Sequence, residues 1–396
     1  MTTMIGARPA QTSGKARLIA ACTIGNALEF YDFVIYSFFA ATIGALFFPA
    51  ESPTVQLLLS LATYGVGFFL RPLGGVVLGR YADRRGRKAA TILTLFLMAL
   101  GTAMIGLAPT YAQIGIFAPV LVVLGRLLQG FSAGGEIGAS TTLLAECAPA
   151  EERGFFGSWQ MASQGIAVMV AAALALTINT MLTPEQVQAW GWRLPFILGV
   201  MIVPVGLWLR RALKETHGSE AKGGTRKGLT LSAALRTHLP RIIAGVAVII
   251  GGTAANAVIV LYMSTYAIRQ LGMAPTTALL AGITAGFMTF AVSPLAGALT
   301  DRIGRKKVIG AAYLALAILI YPAFELLTLF PSVQTLLAVV VVLGVAVFGG
   351  FGQFIVTWLI GATGSPLAPA GYVTACCIVT LLALRALHET ARIKLT

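Results

Sequence analysis

The sequence predicts an all-α polytopic membrane protein built from two related helix bundles, and three observations predict it. First, 57% of the 396 residues are apolar and only 11% are charged, where a soluble domain carries about 25% charged residues. Such a chain cannot cover itself with polar surface, so the bilayer must be its solvent. Second, apolar runs of the roughly 20 residues that a span requires recur along the chain. Third, a short basic loop occurs twice: Gly79 to Lys88 reads GRYADRRGRK and Gly297 to Lys307 reads GALTDRIGRKK, each wedged between long apolar runs. A second echo closes each half, Leu213-Lys214-Glu215-Thr216 against Leu387-His388-Glu389-Thr390. Repeats of this kind in a membrane chain point to a carrier with its site between the halves.

In chain order the runs fall at about 18–48, 55–79, 89–108, 112–146, 157–181, 191–211, 240–271, 275–300, 307–330, 333–362 and 367–387, eleven in all. Two are long enough to be tilted or kinked. The first 16 residues are polar and lack a cleavage-site pattern, so the first run is expected to stay as a span. Lys and Arg concentrate in the loops at 80–88, 147–156, 210–241 and 301–307, which are therefore expected on the cytoplasmic side together with the amino terminus and its Arg8, Lys15 and Arg17. Glu51 and Glu185 lie in the opposite loops. The segment Arg210 to Arg241 is the one long hydrophilic stretch, and its SEAKGGTRKG reads as a flexible linker. The expected domains are an amino-terminal six-helix bundle over 1–211, a cytoplasmic linker over 212–239 and a carboxyl-terminal bundle over 240–396.

The second half is short. From Asp83 to Asp301 the offset is 218 residues and from Glu215 to Glu389 it is 174, so 44 residues are missing after the second basic loop. Where the first half has Arg126 through Gln160, with a loop at Glu151, Glu152 and Arg153, the second has only Val333–Ile360, interrupted by GGFGQF at Gly349–Phe354. Two spans are expected to have collapsed into one. Eleven spans leave Arg385, Arg392 and Lys394 outside, against the positive-inside rule, unless Val333–Ile360 is a re-entrant hairpin. Both arrangements fit the sequence.

Ionisable groups at membrane depth are functional candidates by default, because each is costly unless paired. The first run carries Glu29 and Asp32 in GNALEFYDF, three residues apart and hence on one helical face. Two carboxylates there disfavour each other's charge and can exchange a proton. The alternative is a permanent ion pair with a neighbouring helix. The fourth run, GRLLQGFSAGGE, carries Arg126 near mid-membrane, at the depth of Asp32, with Gln129 on the same face. Arg126 offers a bidentate donor edge to an anionic substrate, or neutralises Asp32. Glu136, about 15 Å nearer the cytoplasm, reads as a structural partner of the basic loops, or as a coupling site. Arg71 in FFLRPLGG can snorkel to the cytoplasm in a gating or structural role, or contact ligand. Gln160 and Gln164 in SWQMASQ suit hydroxyl or carboxylate recognition, or hydrogen bonding between helices. In the second half Asn256, Tyr262, Thr265 and Tyr266 form the comparable polar cluster, and Glu325 lies close to the outer end of its span.

In the loop motif Asp83 can accept from the amino end of the next helix, while Arg84, Arg87 and Lys88 hold adjoining helices and lipid phosphates around Gly86. Asp301, Arg302, Gly304 and Arg305 repeat the pattern, so paired copies can lock and release the cytoplasmic side, or serve topology alone. The net charge of +14 sits in these loops, with no basic face interleaved with aromatics, and nucleic-acid binding is not expected. Cys22, Cys147, Cys376 and Cys377 have no ligand or disulfide spacing. There is no phosphate-binding loop, metal cluster or nucleophile elbow, so no enzyme activity and no cofactor are expected, and energy must come from a proton or substrate gradient.

The two basic loops resemble the signature of the major facilitator superfamily. GNALEFYDF, FFLRPLGG, GRLLQGFSAGGE and WGWRLPF together are similar to its bacterial metabolite:proton symporter branch, and most of all to citrate–proton symporters. The resemblance implies a monomeric carrier in the bacterial inner membrane that moves an organic acid with protons by alternating access. It places Glu29, Asp32 and Arg126 at or near a midplane site. Relatives also carry shikimate, proline or betaine, and the family has twelve spans. The stretch missing near Ala346–Phe351 belongs to the tenth and eleventh, so a shortened chain without transport activity is a further alternative.

Overall fold

The structure is a computed structural model that describes residues 12–85, 87–149, 151–201, 247, 250–344 and 368–386. The described residues form helices and no strand. The expected linker, the gap near Ala346–Phe351 and the carboxyl terminus lie outside them.

The first apolar run forms α1 (Thr12–Phe38) and α2 (Ala40–Phe47), bent by 65° where they meet. The bend has a local cause. The Phe39 N–H is shared between Ile35 O at 3.3 Å and Tyr36 O at 3.2 Å, so the ladder shifts partner at that point. Beyond it, a Cβ on Gly44 would sit 2.7 Å from Gln56 O, so only glycine lets α2 approach α3 (Pro53–Arg85). Proline begins α3 where no N–H partner is needed.

There follow α4 (Arg87–Gly106), the short α5 (Tyr111–Ile114), α6 (Phe117–Cys147) and α7 (Arg153–Met181). The short helix α8 (Pro184–Ala189) is held by a capping box. Thr183 N donates to Gln186 Oε1 at 3.0 Å and Gln186 N to Thr183 Oγ1 at 3.4 Å. In its first turn the exposed Glu185 carboxyl lies below its ordinary range, because its own backbone N–H and then the Thr183 hydroxyl bond to it. A further helix, α9, covers Gly191–Met201.

In the second half a π-helical turn, Ala257–Tyr262, leads into α10 (Met263–Arg269). Then come α11 (Pro275–Ile303), α12 (Arg305–Leu329), α13 (Val333–Gly344) and α14 (Ala368–Ala386). Gly304 separates α11 from α12 with φ of 102°, a backbone region that disfavours any side chain, which explains the glycine in the basic loop.

Each of the eleven expected runs contains a described helix. Among the described residues, five helices are long and apolar enough to cross a membrane: Pro53–Ala82, Phe117–Gly135, Arg153–Met181, Pro275–Ile303 and Arg305–Leu329. The bent pair makes a sixth if it is one span. Polarity is inverted relative to a soluble protein. Phe69, Phe96, Leu295, Ile318 and Leu382 are exposed while Asn26, Asp32, Arg126 and Gln129 are buried.

Glycines decide which helices touch. A Cβ on Gly130 of α6 would overlap Gly67 O of α3, and one on Gly74 or Gly134 would overlap the backbone carbonyl of Phe131 or Arg71. The α4–α6 crossing is set likewise, with Gly101 against Gly125 O at 2.6 Å and Gly125 against Gly101 O at 2.8 Å, measured from the absent Cβ. The same device joins the halves along α7 and α11 through Gly154 with Gly297 and Gly165 with Gly286. At the carboxyl end of α4 Trp192 packs edge-on to Phe47 and Phe196, and Arg193 Nη1 donates to Gly106 O at 2.9 Å and Ala108 O at 2.8 Å.

Gly130→Val is expected to prevent the α3–α6 approach and leave no monodisperse protein on size exclusion. Gly79→Ala, whose added Cβ meets nothing within 4 Å, is expected to retain the wild-type profile.

Candidate functional site

Helix α1 presents Glu29, Asp32 with Phe33, and Tyr36 at spacings of three and four, one continuous face. That face looks onto Tyr64, Phe68 and Arg71 of α3, Thr102 of α4, Arg126 and Gln129 of α6, and Gly199 of α9.

Arg126 is at 0% exposure. Its guanidinium carbon lies 3.8 Å from the ring centroid of Tyr36, 5.1 Å from Tyr64 and 5.6 Å from Phe33. Three π faces thus replace part of the hydration that the cation has lost, each contributing about 0.5–2 kcal/mol. Nη1 donates to Gln129 Oε1 at 2.8 Å. Nε and Nη2 are buried and have no hydrogen-bond acceptor. These two N–H groups form one side of the guanidinium fork, the edge that receives a carboxylate with two parallel bonds.

Asp32 is buried, and its Oδ2 accepts from Thr102 Oγ1 at 2.8 Å. Its Oδ1 accepts nothing. A Cβ on Gly199 would stand 2.5 Å from that Oδ1, so α9 meets the carboxylate with bare backbone. Tyr31 and Tyr36 fix the helix on either side, Tyr31 Oη donating to Pro195 O at 2.9 Å and Tyr36 Oη to Ser60 O at 3.1 Å.

The structure changes three expectations. Glu29 and Asp32, on one face, turn to different cations: Asp32 interacts electrostatically with Arg126, and Glu29 with Arg71. Each carboxylate has its own cation. Arg71 does not snorkel to the cytoplasm, since its guanidinium stacks 4.2 Å from the Phe68 ring centroid and 4.6 Å from Phe33, turned into the bundle. The aspartate of the second basic loop does not hold the helix that follows it. Asp301 Oδ1 accepts from Gly154 N at 2.8 Å and Oδ2 from Phe155 N at 2.9 Å, so it caps the amino end of α7, in the other half. Beside this cap Trp159 meets Phe290 across the seam, with centroids 6.4 Å apart.

The remaining candidates are spread wider. Asn26 Nδ2 donates to Gln160 O at 2.9 Å and to Ser163 Oγ at 2.7 Å, which ties α1 to α7 through the Gln160 backbone. Gln164 is half-buried on the same helix. Asn256 and Tyr262 are buried at the π-helical turn, which reaches α1 where Ser37 Oγ donates to Leu261 O at 3.2 Å. Arg84 and Arg302 are exposed, as is Glu325. Gly86 and the side chains of Asp83, Arg87, Lys88 and Glu136 lie outside the described residues. Thr102, Tyr36, Tyr64 and Gly199 complete the site and were not singled out from sequence. Tyr36 was legible, lying one turn beyond Asp32. Thr102, one of three threonines in an apolar run, gave no signal.

Comparison with known proteins gives one consistent result. The family profile described as Major Facilitator Superfamily matches residues 22–376. The chain is 37% identical over 420 residues to the citrate-proton symporter of Klebsiella pneumoniae, covering 97% of this chain and 95% of that protein. It is 39% identical over 320 residues to the citrate-proton symporter of Salmonella typhi, covering 81% and 74%. A putative proline/betaine transporter of Staphylococcus aureus strain COL is 34% identical over 413 residues, covering 94% and 88%. Among solved structures the fold resembles the xylose transporter XylE of E. coli in a partially occluded inward-open conformation, with TM-score 0.65 and 19% identity over 95% of this chain and 91% of that one. It also resembles the E. coli fucose:proton symporter FucP, with TM-score 0.59 and 18% identity over 97% and 99%.

Asp301→Ala removes both acceptors at the start of α7 and is expected to lower the thermal midpoint of the purified protein. The loss is about 1 kcal/mol or somewhat more, and Asp301→Asn, which keeps one acceptor, should lose less.

Proposed function

The chain belongs to the major facilitator superfamily, and from that premise we propose that it is a proton-coupled symporter of citrate or a related di- or tricarboxylate, working by alternating access. The observation that carries this reading is the Nε–Nη2 edge of Arg126. A desolvated cation at bundle centre with a free bidentate edge fits a carboxylate far better than a neutral solute. The citrate-proton symporter relatives, at 37% and 39% identity, support the same substrate class.

In this mechanism Arg126 binds a substrate carboxylate through Nε and Nη2, with Gln129 holding Nη1 so that the fork keeps its plane. Asp32 takes the coupling proton on Oδ1, the oxygen that accepts no bond. Glu29, beside Arg71, is the second proton-coupling candidate. Gln129, Gln160, Gln164, Asn256 and Tyr262 remain candidate substrate contacts. The Asp301 cap and the Trp159–Phe290 contact close the cytoplasmic end of the α7–α11 seam, and Ser37 with Leu261 ties α1 to the second half. Rocking of one half on the other must break one of these ends at a time.

We further propose a monomer in the bacterial inner membrane with its amino terminus in the cytoplasm, and two bundles over 1–211 and 240–396. The 420 positions of the Klebsiella alignment exceed the 396 residues of the chain, so that relative has residues that this chain lacks, and we place the missing stretch in the second half. A zwitterion such as proline or betaine is the second reading, favoured by the Staphylococcus relative.

Acid-driven uptake of labelled citrate into vesicles is expected to exceed proline uptake, and the reverse ratio selects the zwitterion. Absence of uptake of citrate, of every related di- or tricarboxylate and of proline overturns the carrier reading. Arg126→Lys keeps the charge and loses the fork, and should weaken citrate binding by about tenfold or more, at roughly 1.4 kcal/mol per decade. Asp32→Asn is expected to abolish uphill accumulation while sparing citrate exchange, and an unchanged pH dependence in that variant removes Asp32 from coupling.

A further inference from the structure

Between the proposed proton site and the proposed anion site run three hydrogen bonds that all point the same way. Arg126 Nη1 donates to Gln129 Oε1 at 2.8 Å, Gln129 Nε2 donates to Thr102 Oγ1 at 2.8 Å, and Thr102 Oγ1 donates to Asp32 Oδ2 at 2.8 Å. The polarity is forced. A guanidinium can only donate, so Gln129 must turn its oxygen to Arg126 and its amide nitrogen to Thr102. An ionised Asp32 can only accept, so the hydroxyl proton of Thr102 completes the series. The four side chains are buried, and in such a setting each bond in a directed chain strengthens the next.

Thr102 also has a second acceptor within reach, Met98 O at 3.0 Å in the preceding turn of α4. One hydroxyl proton thus faces two acceptors. We propose that Thr102 and Gln129 are a relay that couples protonation of Asp32 to the readiness of Arg126 to take a carboxylate. With Asp32 ionised, the hydroxyl points to Oδ2, the chain is polarised from end to end, and Gln129 holds Arg126 firmly. When Asp32 gains a proton the anionic terminus is gone and the hydroxyl turns to Met98 O. Gln129 loses the polarising neighbour that made its oxygen a strong acceptor, and Arg126 has more of its charge to offer a substrate. Proton and carboxylate then favour each other's binding across three side chains. The effect is reciprocal, so a bound carboxylate must also favour the proton.

The groups around Asp32 leave this route well defined. Arg126 on α6 and Tyr31 on its own helix are the titratable side chains with an electrostatic interaction with it, Glu29 one turn back is engaged with Arg71, α4 contributes Thr102 and α9 contributes the backbone at Gly199. Thr102 and Gln129 are accordingly positioning residues for the proton-coupled step. The inference rests on the assignment of Arg126 and Asp32 above.

The test is equilibrium binding of labelled citrate to the purified full-length protein in lipid nanodiscs at about pH 6 and about pH 8, with concentrations expressed as the fully ionised species. The unmodified protein should bind about 5-fold or more tightly at the lower pH, the usual size of coupling between two sites. Thr102→Val, which keeps the shape and removes the proton, should lower that ratio to the part carried by the direct interaction between Asp32 and Arg126. Thr102→Ser, which keeps the hydroxyl, should restore it. Gln129→Met breaks the same chain at its middle and is measured in parallel, so that a folding failure of the valine variant does not remove the test. A full pH ratio in either chain-breaking variant overturns the relay while leaving the carrier reading intact. No citrate binding by the unmodified protein at either pH overturns both.

Discussion

A guanidinium without water at the centre of an apolar bundle is the constraint on which the amino-terminal half is built. Burying such a cation costs several kcal/mol after relaxation, and the surroundings of Arg126 offset that cost with little hydrogen bonding. Aromatic faces from α1 and α3 stand where water would be, and one amide oxygen holds one amino group. These short-range contacts need helix backbones to pass very close. Gly67 against Gly130 brings α3 near enough for Tyr64 to reach Arg126, and Gly101 against Gly125 brings α4 near enough for Thr102 to reach Gln129. The glycines and the charge are therefore one design, because widening either crossing by a methyl group would strand the cation.

The two halves divide the work unequally. All the buried charge among the described residues lies in the first half, on α1, α3 and α6. The second half supplies a surface: the π-helical turn that meets Ser37, Gly282 and Gly286 beneath α1 and α7, and the Asp301 carboxylate at the end of α7. A π-turn offsets the backbone ladder by one residue, and here it sits where Leu261 O is taken by a hydroxyl of the other half.

Much of this was legible in the sequence, and the remainder was not for identifiable reasons. Apolar runs and the repeated basic loop reveal helices and duplication because the bilayer demands length and the loops demand charge. Arg126 and Asp32 stand out because ionisable groups are rare at depth, and Gln129 follows from helical spacing. What spacing along one chain does not reveal is which helix stands opposite. The partner of Asp301 lies about 147 residues away in α7, and Glu29 and Asp32, neighbours on a helical face, turn to different arginines. Arg71 is set by the rings of Phe33 and Phe68, a cross-helix contact. Thr102 and Gly199 matter through what they leave small or offer as a single proton, and neither property marks a residue in an apolar run.

The α7–α11 seam joins the halves through glycines at three levels, from Gly154 and Gly297 through Gly165 and Gly286 to the Ala172–Gly282 contact. Interfaces made of interdigitated leucines behave like meshed gears, in which every tilt forces rotamers over barriers. This one is closer to a plain bearing, with backbone against backbone at the glycines and the Trp159–Phe290 pair as a ring contact across it. Friction along such a joint is low, so the timing of any rocking motion falls to the polar latches at its two ends and to the charge state between them.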